Sequence, residues 1–137
     1  MAKSNSKGML PNGRRGHSGE RYIKALHAIF DHPDYLSMEP AARLLLWELA
    51  RQYNGHNNGD LSLAPKVMGR FGWNKSTIQR HKDSLINNNW IFIAGAKPAR
   101  NGWVYLYALT WLDVNECGGK LFDESTNHKT RSLKIKG

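Results

Sequence analysis

The stretch Gly72-Trp73-Asn74-Lys75-Ser76-Thr77-Ile78-Gln79-Arg80-His81-Lys82-Asp83-Ser84-Leu85, GWNKSTIQRHKDSL, starts with a turn residue and a helix cap and continues as a polar, mostly basic surface. Asn74 suits an N-cap because its short side-chain oxygen can accept from the free N–H groups of a first helical turn. The spacing of Ile78 and Leu85 predicts a helix from Lys75 to about Asn87 that turns those two side chains inward. A solvated helix usually mixes acids with its bases. Here Lys75, Arg80 and Lys82 are opposed by Asp83 alone. This face is either an ordinary wet surface or one built to meet a patterned anion.

The flanking sequence narrows the choice. Upstream, Ala64 to Phe71 fits a short helix with Pro65 tolerated in its first turn and Val67, Met68 and Phe71 facing inward. Gly72 ends it. Downstream, WIFIA (Trp90 to Ala94) and WVYLYALT (Trp103 to Thr110) are rich in aromatic and β-branched residues, as strands are. Between them GAKPARNG, Gly95 to Gly102, reads as a loop, so the pair is a hairpin with an extended basic tip. Further upstream, Ser37 to Tyr53 is the strongest helix in the chain, with Pro40 in its first turn. Ala42, Leu45, Leu46, Leu49 and Tyr53 form its apolar face, widened by Leu44 and Trp47. The turn cluster NGHNNGD, Asn54 to Asp60, stops it, and Leu61-Ser62-Leu63 is long enough only for a stub of strand. Tyr22, Ile23, Leu26, Ile29 and Phe30 recur at helical spacing and predict a further short helix that His32-Pro33-Asp34 breaks.

The chain of 137 residues is expected to hold one domain, residues 21–112, between a disordered basic arm (1–20) and a flexible polar and basic tail (113–137). Its formal charge of +9 attracts polyanions. That charge is distributed in blocks. Lys3, Lys7, Arg14, Arg15, Arg21 and Lys24 face only Glu20. Then Asp31, Asp34, Glu39, Glu48 and Asp60 outnumber Arg43 and Arg51. Finally Lys66, Arg70, Lys75, Arg80, Lys82, Lys97 and Arg100 face only Asp83. Such separation suggests one face turned toward an anion. A single cysteine, Cys117, precludes an internal disulfide and suits a reducing compartment. No long apolar run or secretory pattern occurs, so a cytoplasmic, nucleoid-associated protein without membrane contact is expected. The six histidines are scattered and Cys117 is alone, which argues against a metal site. No phosphate-cradling loop or nucleophile elbow is present, so neither an enzyme nor a cofactor is expected.

The order helix, stub strand, helix, tight turn, helix, strand, basic loop, strand resembles the winged helix-turn-helix DNA-binding family over roughly Ser37 to Leu112. Val67, Met68, Phe71, Gly72, Trp73, Ser76, Thr77, Ile78, Leu85 and Ile91 carry the likeness. More narrowly, EPAARLLLWELARQYNGHNNGDLSLAP followed by GWNKSTIQRHKDSL is similar to helix-turn-helix proteins of bacteria and of their phages, plasmids and integrative elements. The resemblance implies an α+β fold, a three-helix core with a C-terminal hairpin wing, here with an extra short N-terminal helix and flexible basic termini. It also implies double-stranded DNA as partner, with the helix from Lys75 lying in the major groove. Ser76, Thr77, Gln79, Arg80 and Asp83 would then touch bases, a Gln suiting adenine and an Arg guanine. Lys66, Lys75, Lys97, Arg100 and Asn101 would touch backbone or minor groove, and Arg14 and Arg15 form a candidate DNA-reaching arm. His81 and Lys82 depart from the small apolar residues usual at those positions. His81 is expected to be a half-buried structural residue, and Lys82 to lay its stem on the core.

Implied roles are transcription regulation or DNA replication and maintenance of a mobile element, with a replication or regulatory protein as a further partner. No long terminal helix suggests strong dimerisation, so a monomer or weak homodimer is expected. Two other readings stay open. The strand aromatics Trp90, Phe92, Trp103, Tyr105, Tyr107 and Trp111 would make a stacking platform for single-stranded nucleic acid. A protein-interaction adaptor built on the winged fold would instead expose Trp47 and Leu44.

Overall fold

In the computed structural model, residues 20–122 and 131–133 are described. Residues 1–19 of the expected arm, with Arg14 and Arg15, lie outside them. The described residues form an α+β structure of five α-helices, one 3-10 turn and a two-stranded antiparallel sheet.

Helix α1 covers only His27–Phe30, shorter than the apolar spacing from Tyr22 suggested, and Ile23 and Leu26 pack on the core from non-helical backbone. His32 does not simply break the chain: it caps α2, Pro33–Leu36, its Nδ1 accepting from the Asp34 N–H at 3.0 Å with Pro33 in the first turn. Helix α3, Pro40–Ala50, buries Ala42, Leu45, Leu46, Leu49 and Ala50. Trp47 is half-buried, whereas Leu44, expected to widen the buried face, points to solvent. Leu61 pairs as an isolated bridge with Tyr107, N–H to carbonyl in both directions at 3.2 and 2.8 Å.

The next segment splits into α4, Pro65–Met68, and a 3-10 turn, Gly69–Phe71. Gly72 then takes φ 92°, a left-handed conformation that costs a side chain but not a glycine. This reverses the chain into α5, Lys75–Asn87. Met68, Ile78 and Leu85 join the α3 leucines in one core. Strand β1, Ile91–Ala99, pairs with β2, Gly102–Leu109, through a bulge between Ile93 and Gly95.

Two expectations need correction here. Gly95 to Ala99 is strand rather than loop, and only Arg100 and Asn101 make the turn. Gly95 is present for space: a Cβ there would lie 2.2 Å from the Lys120 carbonyl oxygen, because residues 120–122 run along the outer edge of β1. Ala96 N–H donates to Lys120 O at 3.1 Å, and Phe122 N–H to Ala94 O at 3.0 Å. The residues just after Leu112 are therefore part of the packed body, with Val114 and Cys117 buried, rather than the start of a loose tail.

Asn58 ties this C-terminal segment to the hairpin. It is fully buried, its Oδ1 accepting from Leu109 N–H at 2.7 Å and its Nδ2 donating to the carbonyls of Leu109, Leu112 and Asp113 at 3.0, 3.2 and 3.1 Å. At the other end of the core, Trp90 is packed edge-on among His32, Tyr35 and Trp111, its indole N–H without an acceptor. The Arg131 guanidinium lies 4.0 Å over its ring and donates to Asn88 O, Asn89 O and Asp34 Oδ2 at 2.7, 3.0 and 2.9 Å. A cation is favourable there, since Asn88 caps the carbonyl end of α5.

Candidate nucleic-acid interface

The N-terminal turn of α5 is fixed by its cap. Asn74 Oδ1 accepts from Thr77 N–H at 2.9 Å and from the Ser76 hydroxyl at 3.0 Å. Ser76 is thus held against the cap, and Thr77 is half-buried. With 100° between successive residues, burial of Ile78, His81 and Leu85 turns Ser76, Gln79, Arg80, Asp83 and Asn87 to the opposite side. Gln79, Arg80 and Asp83 are exposed, and so is Lys75 at the start of the helix. His81 is more deeply buried than expected, while Lys82 is half-buried in keeping with a stem laid on the core.

Arg80 is not a free cation. Its Nη2 lies 3.4 Å from Glu39 Oε1, with the two side chains 70% and 63% exposed. An ion pair so exposed is weak, so a phosphate or a guanine edge competes with Glu39 at small cost.

The ribbon has two unlike faces. Direct cross-strand partners share a face, which places Trp103 with Pro98, Tyr105 with Ala96 and Tyr107 with Ile93. Trp103 is 72% and Tyr105 55% exposed. Lys97 pairs with Val104 on the reverse face, and Arg100 and Asn101 are exposed at the turn. Tyr107, on the aromatic face, shares one core cluster with Ile78 and Leu85 of α5, and its phenol is pushed up from its ordinary pKa by burial first, then by the Asp83 carboxylate and by Tyr105. The face that carries Tyr107, Tyr105 and Trp103 is thus the one that packs toward α5 at its buried end, whereas Lys97 lies on the face behind. Lys66, at the first turn of α4, is exposed. Trp103 and Tyr105 were not among the expected duplex contacts; the alternation of WVYLY about the correct register is the signal that places them together.

The chain matches no family model, no curated protein and no solved structure.

The six-aromatic platform does not exist as one surface, because Trp90, Tyr107 and Trp111 are buried. Cys117 is buried too, its Sγ 3.2 Å from Asn115 O. Burial, then the Asp60 carboxylate, push its thiol up, with Lys120 acting in the opposite direction. Lys120 is held charged by its 2.9 Å bond to Asp60. Among the described residues no group of three or more His, Cys, Asp or Glu is placed to hold a metal ion, and no helix is long and apolar enough to cross a membrane.

Proposed function

We propose that this protein is a winged helix-turn-helix binder of double-stranded DNA. In this reading α5 enters the major groove through Ser76, Gln79, Arg80 and Asp83, and the ribbon reaches the neighbouring backbone or minor groove. The observation that carries the reading is the α5 edge, amide- and guanidinium-bearing, capped by a structured turn and followed directly by a solvent-projecting hairpin. The major groove accepts a helix of this size, and Gln and Arg can each bond a purine edge bidentately there. Asp83 fits the same surface as an acceptor for a cytosine amino group while repelling phosphate, which favours base contact over backbone contact at that point. Lys66, Lys75, Lys97, Arg100 and Asn101 supply the sequence-independent attraction. The role that follows is regulation of transcription or a replication and maintenance function of a mobile element, exercised in the cytoplasm at the nucleoid without cofactor or catalysis.

A panel of duplexes selected from random sequence tests this. Gln79→Ala and Arg80→Ala are expected to cost about 1–3 kcal/mol on the selected site and to relax its preference. Lys75→Ala is expected to weaken all duplexes alike. Unchanged affinity and unchanged preference in all three variants would sink the docking.

One observation favours a second activity on a different surface. Leu44 is 56% exposed beside half-buried Trp47, on which Phe30 stacks at 5.4 Å between ring centres. This apolar face of α1 and α3 suits an adaptor role toward a protein partner. Leu44→Glu is expected to abolish such a contact and leave duplex binding intact.

A further inference from the structure

A cleft of about 400 Å³ opens between the C-terminal end of α3, the 3-10 turn and the chain before α1. It lies apart from the proposed reading surface, since none of Ser76, Gln79, Arg80 or Asp83 lines it. Three guanidiniums do: Arg21, Arg51 and Arg70, with no carboxylate among the lining residues. Two of them crowd one ring. The Arg51 guanidinium carbon is 4.3 Å, and that of Arg70 5.1 Å, from the centre of Phe71. A ring contact does not neutralise a guanidinium, so both keep their charge for an anion that enters the cleft. Glu48 takes only part of this demand: its Oε1 is 3.3 Å from one Nη of Arg51, whose fork has five N–H donors.

The rest of the cleft offers aromatic surface. Tyr22, exposed, and Tyr53, half-buried, add rings to that of Phe71. Gln52 makes the wall rigid, since its amide donates to Ser62 O at 2.8 Å and accepts from Ser62 N–H at 2.9 Å. The volume falls within the range of small-ligand clefts, roughly 300–1,000 Å³. We propose that this cleft binds a small phosphate ester carrying a planar ring, a ligand of the mononucleotide class. Arg51 and Arg70 fork onto the phosphate, as guanidiniums do bidentately, and the ring is taken up against Tyr22 and Tyr53.

Calorimetric titration of the full chain with adenosine 5′-monophosphate, adenosine and inorganic phosphate at low ionic strength tests the site. The nucleotide is expected to bind with one-to-one stoichiometry, and adenosine and phosphate each roughly tenfold or more weaker, since each keeps only half of the contacts. Arg70→Gln is expected to weaken the nucleotide about tenfold without altering affinity for duplex DNA. Arg51→Gln should act likewise, and because Arg51 also pairs with Glu48, the Arg70 variant carries the test if Arg51→Gln loosens the fold. Absence of saturable nucleotide binding overturns the proposal, as does phosphate binding as tightly as the nucleotide. Unaltered nucleotide affinity in Arg70→Gln places the ligand elsewhere and overturns it. Equal losses of nucleotide and duplex affinity in that variant would assign the arginines to the DNA surface instead, and also overturn it. The duplex titration of the unsubstituted protein is read separately, so failure of the cleft and failure of the DNA reading give different results.

Discussion

Replacing Asn58 by Ala removes one carboxamide from the point where the turn after α3, the end of β2 and the C-terminal segment meet. The wild-type Oδ1 satisfies Leu109 N–H at 2.7 Å, and two Nδ2 hydrogens are shared by three carbonyls. Leu112 is half-buried and Asp113 exposed, so their carbonyls can recover water. Leu109 is fully buried and cannot. Its N–H and C=O are then both orphaned, at about 1–3 kcal/mol each, giving an expected loss of about 2–6 kcal/mol. That is a large part of the ~5–15 kcal/mol that holds a typical domain together. Urea unfolding followed by tryptophan fluorescence measures it. Asn58→Leu keeps the volume, excludes a rescuing water and should lose at least as much. Asn58→Asp adds a check on sign. Facing three carbonyl oxygens in a buried site, the carboxyl pKa rises above its unfolded value near ~3.9. That variant is then most stable when protonated, and loses stability as pH climbs through and above the ordinary Asp range. Losses below about 1 kcal/mol for both Ala and Leu would refute the reasoning that this amide clamps the hairpin.

Arg131→Ala should lower stability by about 1–3 kcal/mol, discounted because Asp34 is half-exposed and can rehydrate. Arg131→Lys should recover only part, since an ammonium cannot fork between two carbonyls and a carboxylate; the urea midpoint reports both. Trp103→Ala and Tyr105→Ala together should weaken duplex DNA severalfold with an unaltered melting curve, since both rings are exposed and would lose only apolar contact with the sugar-phosphate wall; equal affinities would remove the aromatic ribbon face from the contact. Cys117 should react slowly with iodoacetamide at neutral pH, its rate rising only above the usual thiol range. Because the folded thiol keeps its proton more firmly than the unfolded one, this group's contribution to stability is present below the ordinary thiol pKa and is lost as pH rises through the folded value.

Helix α5 was legible because its determinants are local: an Asn cap, apolar residues at helical spacing and a glycine that permits the turn before it. His81 was harder, since its burial follows from the helix phase rather than from residue type. The same locality explains the errors. Gly95 and Pro98 look like loop residues, yet Gly95 marks where Lys120 crosses 25 positions later, and Pro98 is accommodated in a ribbon whose outer edge needs no N–H there. Asn58 sat inside a run of turn residues, and only tertiary contact distinguishes a buried amide from its exposed neighbours. Arg131 read as one more base in a polar tail, and its receptor is assembled from Asp34, Asn88, Asn89 and Trp90, which no spacing rule links. For the interface, the α5 edge followed from periodicity. The Trp103 and Tyr105 face required the strand register.

The most direct test of the central claim is duplex affinity measured across a salt series, for the unsubstituted protein and for a Gln79→Ala, Arg80→Ala double variant. A helix seated in the major groove beside a basic ribbon predicts a steep linear fall of log affinity with log salt, as displaced counterions require. It also predicts that the double variant keeps most of that slope while losing its preference for the selected site. Weak, salt-insensitive association, or a double variant as selective as its parent, would contradict it.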